Sequence, residues 1–138
     1  MTIEVTLVDT NVLLDMVTGD PIWSRWSIQQ LEAATLRGPL FVNDVVYAEL
    51  STRYRRIEEL DRMLHSARVT LEPMPKAALF LAGKAFLRYR KQRGPRTGVL
   101  PDFFVGAHAA VLKCILLTRD THRYRTYFPT LDVVSPPH

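Results

Sequence analysis

Apolar residues along the chain fall into two kinds of run that take turns. Short stretches rich in Val, Ile, Leu or Phe, bounded by polar or turn-forming residues, predict strands near residues 3–8, 40–42, 68–71, 115–117 and 131–134. Between them the apolar positions recur at helical spacing. Asp20 and Pro21 read as the cap and first-turn proline of one helix, and Gly38 followed by Pro39 as its stop. Asn43 is placed to cap "DVVYAELSTRYRR", a further helical stretch reaches about His65, residues 76–92 form the longest helical pattern, and Pro101 opens another. Strands alternating with helices predict an α/β fold, an α/β/α sandwich around a mainly parallel sheet. With no repeat, low-complexity tract or interdomain linker, residues 1–138 read as one domain.

A chain of 138 residues can bury roughly two thirds of its unfolded surface in a single core. The lone cysteine, Cys114, lies in the apolar "VLKCILL" and reads as a buried thiol in a reducing compartment. The N-terminus has neither a basic flank nor a long apolar region, and no membrane-length apolar run occurs, so a soluble cytoplasmic protein is expected.

Charge adds a candidate partner. The formal net charge is +4, and the excess is arginine in clusters: "RYRR" from Arg53, "RYRKQRGPR" from Arg88 to Arg96, and "RDTHRYR" from Arg119. The planar guanidinium donates two hydrogen bonds to one phosphate. Each run alone reads as a solvated face, while three together favour a nucleic-acid partner. Within them Arg93, Arg96 and Arg119 are the expected phosphate contacts, the first two in a Gly- and Pro-containing loop, residues 93–100, that leads into Pro101 and Asp102.

Four acids stand apart from the rest. In open α/β sheets ligands bind beyond the carboxyl ends of the strands. Asp9 follows the first strand, Asp120 follows "CILLTR", and Glu49 lies on the helix after "LFV". Asp102 opens the helix that leads into the strand carrying Asp120. Taken alone, Asp9 is as simply read as a helix cap. Asp15 lies about 240° around a helix from Asp9, and Asp44 about 140° from Glu49, so both are expected to be surface acids or caps. Glu58, Glu59 and Asp61 lie among arginines as exposed ion pairs.

Two carboxylates about 4 Å apart repel by roughly 4 kcal/mol at an effective dielectric of 20, so four together need protons or a cation. The set is all oxygen, without Cys or His at zinc spacing, which favours Mg²⁺ or Mn²⁺. Such an ion suits phosphodiester hydrolysis.

The stretches "VDTNVLLD", "VNDVVYAEL", "PDFFVGAHA" and "LLTRDTHRYRTYFP" resemble, in order, the four blocks of the PIN-domain nucleases, and within them the VapC toxins of toxin–antitoxin pairs. The resemblance spans essentially the whole chain. It implies metal-dependent RNA cleavage with Asp9, Glu49, Asp102 and Asp120 as the catalytic, metal-binding acids. Asn11 and Thr118 match supporting positions, Asn11 orienting an acid and Thr118 bonding an acid or a water on the metal. The resemblance further implies a VapB-like antitoxin and a homodimer.

Other candidates carry less. His108 falls on an apolar helix face and reads as core, and His122 as an exposed loop residue. A metal-dependent phosphatase wants a second Asp two residues after Asp9, where this chain has Asn11. A phospho-acceptor receiver would usually show paired acids before the acceptor together with a late lysine, an arrangement not visible here. A PIN-like RNA-binding scaffold without catalysis would be expected to lack one of the four acids.

Overall fold

The computed structural model describes residues 3–92 and 100–137. Among them the elements run β1 (Thr6–Val8), α1 (Thr10–Thr18), α2 (Ser24–Arg37), β2 (Leu40–Val42), α3 (Asp44–Ser51), α4 (Ile57–Ser66), β3 (Val69–Leu71), α5 (Lys76–Lys91), α6 (Leu100–Leu112), β4 (Ile115–Leu117), α7 (His122–Tyr127) and β5 (Asp132–Val134). The five strands form one sheet in the order β3-β2-β1-β4-β5 with every pairing parallel. Parallel neighbours cannot be joined by tight turns, so each strand returns through a helical crossover. The result is an α/β/α sandwich.

Burial follows from that arrangement. β1, β2 and β4 are buried at every residue, as strands covered on both faces must be, while the edge strands β3 and β5 are partly exposed. Gly38 ends α2 where the chain passes against the N-terminal segment, and a Cβ there would meet the Glu4 carbonyl oxygen at 2.4 Å. Gly106 lets α6 lie on the Phe128 ring, which a Cβ would meet at 2.5 Å.

Strand order also fixes where the open end of the sheet lies. The chain builds outward from β1 through β2 to β3, then crosses back to β4 on the other side of β1 and continues to β5. The β1–β4 boundary is therefore the point where crossovers diverge, and the crevice beyond its carboxyl end is where such sheets bind ligands. Asp9 and Thr118 stand at that boundary, and the Asp9 N–H donates to the Leu117 carbonyl at 2.9 Å, tying the two strand ends together. A hollow of about 390 Å³ between Val5, Lys113 and Asp132 lies at the opposite, amino end of the strands, away from the acids.

Candidate metal centre

Asp9 answers to two roles at once. It is the N-cap of α1, its Oδ1 accepting from the Thr10 N–H at 2.8 Å, and it is 6 % exposed. Its Oδ2 accepts from the Thr118 hydroxyl at 2.8 Å and from the Tyr124 hydroxyl at 2.9 Å. Burial raises its carboxyl above the ordinary range, the three hydrogen bonds pull it down, and the Glu49 charge pushes it up further.

Thr10 links the second acid. Its N–H serves Asp9, while its hydroxyl donates to Glu49 Oε1 at 2.6 Å. Glu49 is carried by α3, which Asn43 caps through the Val46 N–H, and is exposed. Thr118 links the third. Its oxygen accepts the Asp120 N–H at 3.2 Å and the Asn11 amide at 3.4 Å while its proton goes to Asp9. Asp120 is exposed. Asn11 accepts the Arg119 N–H at 3.2 Å, so it acts on Asp9 at one remove, by fixing Thr118 and the chain after β4.

Asp102 enters on the first turn of α6. Its neighbour Phe103 is fully buried among Phe86, Tyr89, Tyr127 and Phe128, with ring centroids 5.3–6.3 Å apart, and this aromatic cluster anchors the start of the helix. Asp102 is left half-buried, facing Arg123, with which it forms an ion pair. Burial, then the charge of Asp9, raise its carboxyl to about 6; Arg123 opposes that shift and Asp120 adds to it. Glu49 thus acts on Asp9, and Asp9 and Asp120 act on Asp102, the four ranging from a buried Asp9 to an exposed Glu49 and Asp120.

The donor set fits a hard divalent ion, being all oxygen and short of compensating positive charge. Among the described residues no group of three or more His, Cys, Asp or Glu side chains is already arranged to hold one. Asp102 is turned to Arg123 and Glu49 to Thr10, so both would have to turn inward.

Three side chains at the site are not evident from the sequence. Tyr124 is buried, and the neighbouring Asp9 and Asp102 charges add to burial in raising its hydroxyl well above the ordinary tyrosine value, so it is a fixed donor. Its place four residues after Asp120 is the one signal that could have found it. Thr10 and Arg123 are legible only as a cap and as part of a basic run.

Asp15 is a correction. It is 3 % exposed, not a surface acid: its carboxylate takes Arg119 Nε at 2.6 Å, Arg119 Nη2 at 2.9 Å and the Ser27 hydroxyl at 2.8 Å. Helical geometry turns it away from Asp9, but toward α2 and the β4–α7 segment instead of solvent. Arg119, expected at phosphate, is committed to this pair and lies over the Trp23 ring, 5.3 Å from its centroid. Arg93 and Arg96 lie outside the described residues. His108 is buried edge-on to Phe41, and burial lowers its pKa.

The PIN domain model matches residues 6–129. Among solved structures the chain is similar to VapBC2 from Rickettsia felis bound to a promoter DNA fragment, at 15 % identity and TM-score 0.73, covering 96 % of this chain and 99 % of that one. It is also similar to VapBC-1 from nontypeable Haemophilus influenzae, at 19 % identity and TM-score 0.68, covering 95 % and 97 %. A toxin–antitoxin complex from Klebsiella pneumoniae matches at 22 % identity and TM-score 0.65, covering 96 % and 98 %. At such identities the likeness is one of fold. Among curated protein sequences none matches significantly. With the family model covering nearly the whole chain and the acids at the carboxyl end of an all-parallel sheet, this chain belongs to the PIN domain family.

Proposed function

We propose that this chain is the toxin component of a toxin–antitoxin pair and acts as a divalent-metal-dependent endoribonuclease on RNA phosphodiester bonds. The observation that carries the reading is the succession of neighbouring carboxylates at the carboxyl end of the sheet, Glu49 beside Asp9, Asp9 beside Asp102 and Asp102 beside Asp120, with Arg123 paired to Asp102. Similarity to solved complexes described as VapBC supports the toxin assignment. A bound Mg²⁺ or Mn²⁺ would acidify a water and stabilise charge on the phosphate.

The protein's own groups prepare that site. Thr118 and Tyr124 aim Asp9 and oppose the effect of burial on its carboxylate, Thr10 places Glu49, and the exposed Glu49 and Asp120 leave one side open to a polynucleotide. Arg93 and Arg96 are the proposed phosphate contacts, and Arg119 would reach RNA only by leaving Asp15. A VapB-like antitoxin and a homodimer are part of the same reading, as is a cytoplasmic location; no helix among the described residues is long and apolar enough to cross a membrane.

The test is cleavage of RNA by the purified protein with Mg²⁺ or Mn²⁺, with products bearing 5′-phosphate and 3′-hydroxyl ends. Excess chelator, Asp9→Asn and Asp102→Asn should each abolish it. Undiminished cleavage under any of the three would refute the reading. The partner assignment predicts co-purification with the product of the adjacent gene, and failure of the two to associate would remove it.

A further inference from the structure

Arg123 does not behave like the other cation near the site. Arg119 grips Asp15 through two nitrogens, with Ser27 completing the carboxylate and Trp23 beneath the guanidinium. Arg123 meets Asp102 through Nη1 alone, and the two side chains are 26 % and 30 % exposed. Its guanidinium also lies over the Tyr89 ring, 5.7 Å from the centroid, a seat that needs no carboxylate. One monovalent cation cannot balance the combined charge of Asp102 and the Asp9 and Asp120 carboxylates that act on it. A compact divalent ion brings twice the charge and prefers carboxylate oxygen.

We propose that Arg123 is an exchangeable counter-cation: it holds Asp102 when no metal is bound, a divalent ion displaces it, and the released guanidinium, steadied on Tyr89, takes a phosphate of the substrate. The proposal rests on reading the acid cluster as a metal site. Arg123 precedes Tyr124, which bonds Asp9, so one short helix delivers both the fixed donor and the movable cation. Two residues on, and so on the other side of the same helix, Arg125 is exposed and has no such acid in front of it among the described residues, which makes it the control.

Two measurements test this. In calorimetry Arg123→Gln should bind Mn²⁺ about tenfold more tightly than the wild type, while Arg125→Gln binds it unchanged. With Mn²⁺ present, Arg123→Gln should bind a short single-stranded DNA oligonucleotide more weakly, with a salt slope lower by about 0.7. In the unmodified protein, titration with Mg²⁺ should shift the NMR signal of the Arg123 Nε–H and leave that of Arg119 in place. Mn²⁺ binding by the wild type with no gain in Arg123→Gln, or an unmoved Arg123 signal at saturating Mg²⁺, overturns the exchange alone. An unchanged oligonucleotide slope overturns the phosphate role. Absence of any Mn²⁺ binding by the wild type overturns the metal site and the exchange together.

Discussion

The two ion pairs that flank the β4–α7 segment use the same residue types for opposite ends. Asp15 and Arg119 form a closed pair: the acid is buried and both its oxygens are occupied by donors. Asp102 and Arg123 form an open pair in a crowd of carboxylates. The first is architecture that staples α1 to α2 and to the chain after β4. The second is a charge imbalance held in check. A buried pair costs most when one partner is removed, whereas a crowded acid costs most while it stays charged.

The contrast breaks most visibly at Asp15. Asp15→Ala leaves Arg119 and Ser27 without their acceptor and should destabilise the fold by about 3 kcal/mol in urea unfolding. A loss under 1 kcal/mol would make the pair a surface ornament. Asp102 should respond to pH in the opposite sense to an acid with a depressed pKa. Its carboxyl is raised to about 6, so the native state holds more protons than the unfolded chain between about 4 and 6. Its contribution is therefore fully present below pH 4, falls as pH rises, and is spent above 6. Two units correspond to roughly 3 kcal/mol, reduced to about 2 by the solvent exposure of the side chain. The difference between wild type and Asp102→Asn in chelator should show that fall, and a difference independent of pH would contradict it. The smallest effect concerns the fixed donor: Tyr124→Phe should cost about 1 kcal/mol by removing one hydrogen bond to Asp9. An unchanged stability would mean that the hydroxyl does not support Asp9.

Much of this was legible in the sequence for reasons that are local. The central strands are buried on both faces, so Val, Leu and Phe run on without alternation, and β2 and β4 fall on the residues expected. β1 begins at Thr6 instead of residue 3: Glu4 and Val5 already bond Arg37 and Ile115 through the backbone, but Ile3, Glu4 and Val5 stand exposed at the amino end of the sheet. Strand ends then pointed to Asp9, Glu49 and Asp120, since a parallel sheet brings the segments beyond its carboxyl ends to one side, and Asp102 joined them through the helix that leads into β4. Contacts between distant segments could not be read in the same way. Asp15 meets Arg119 across more than a hundred residues, and helical periodicity says only which way a side chain faces, not what waits there. Tyr124 and Arg123 sat in a basic run whose charge hid the individual tasks of its members.

The central claim is that the crowded acids are tolerated because a divalent ion compensates them. Parallel thermal melts of the wild type and Asp102→Asn, in chelator and in Mn²⁺ at pH 7, test it in one experiment. The account predicts that in chelator the variant melts higher, because one repelled charge is gone, and that Mn²⁺ at about 100 times its Kd stabilises the wild type by roughly 2.7 kcal/mol and the variant far less. A variant that melts lower in chelator, with Mn²⁺ shifting both proteins equally, would show the acids to be caps and surface charges and the metal centre to be wrong.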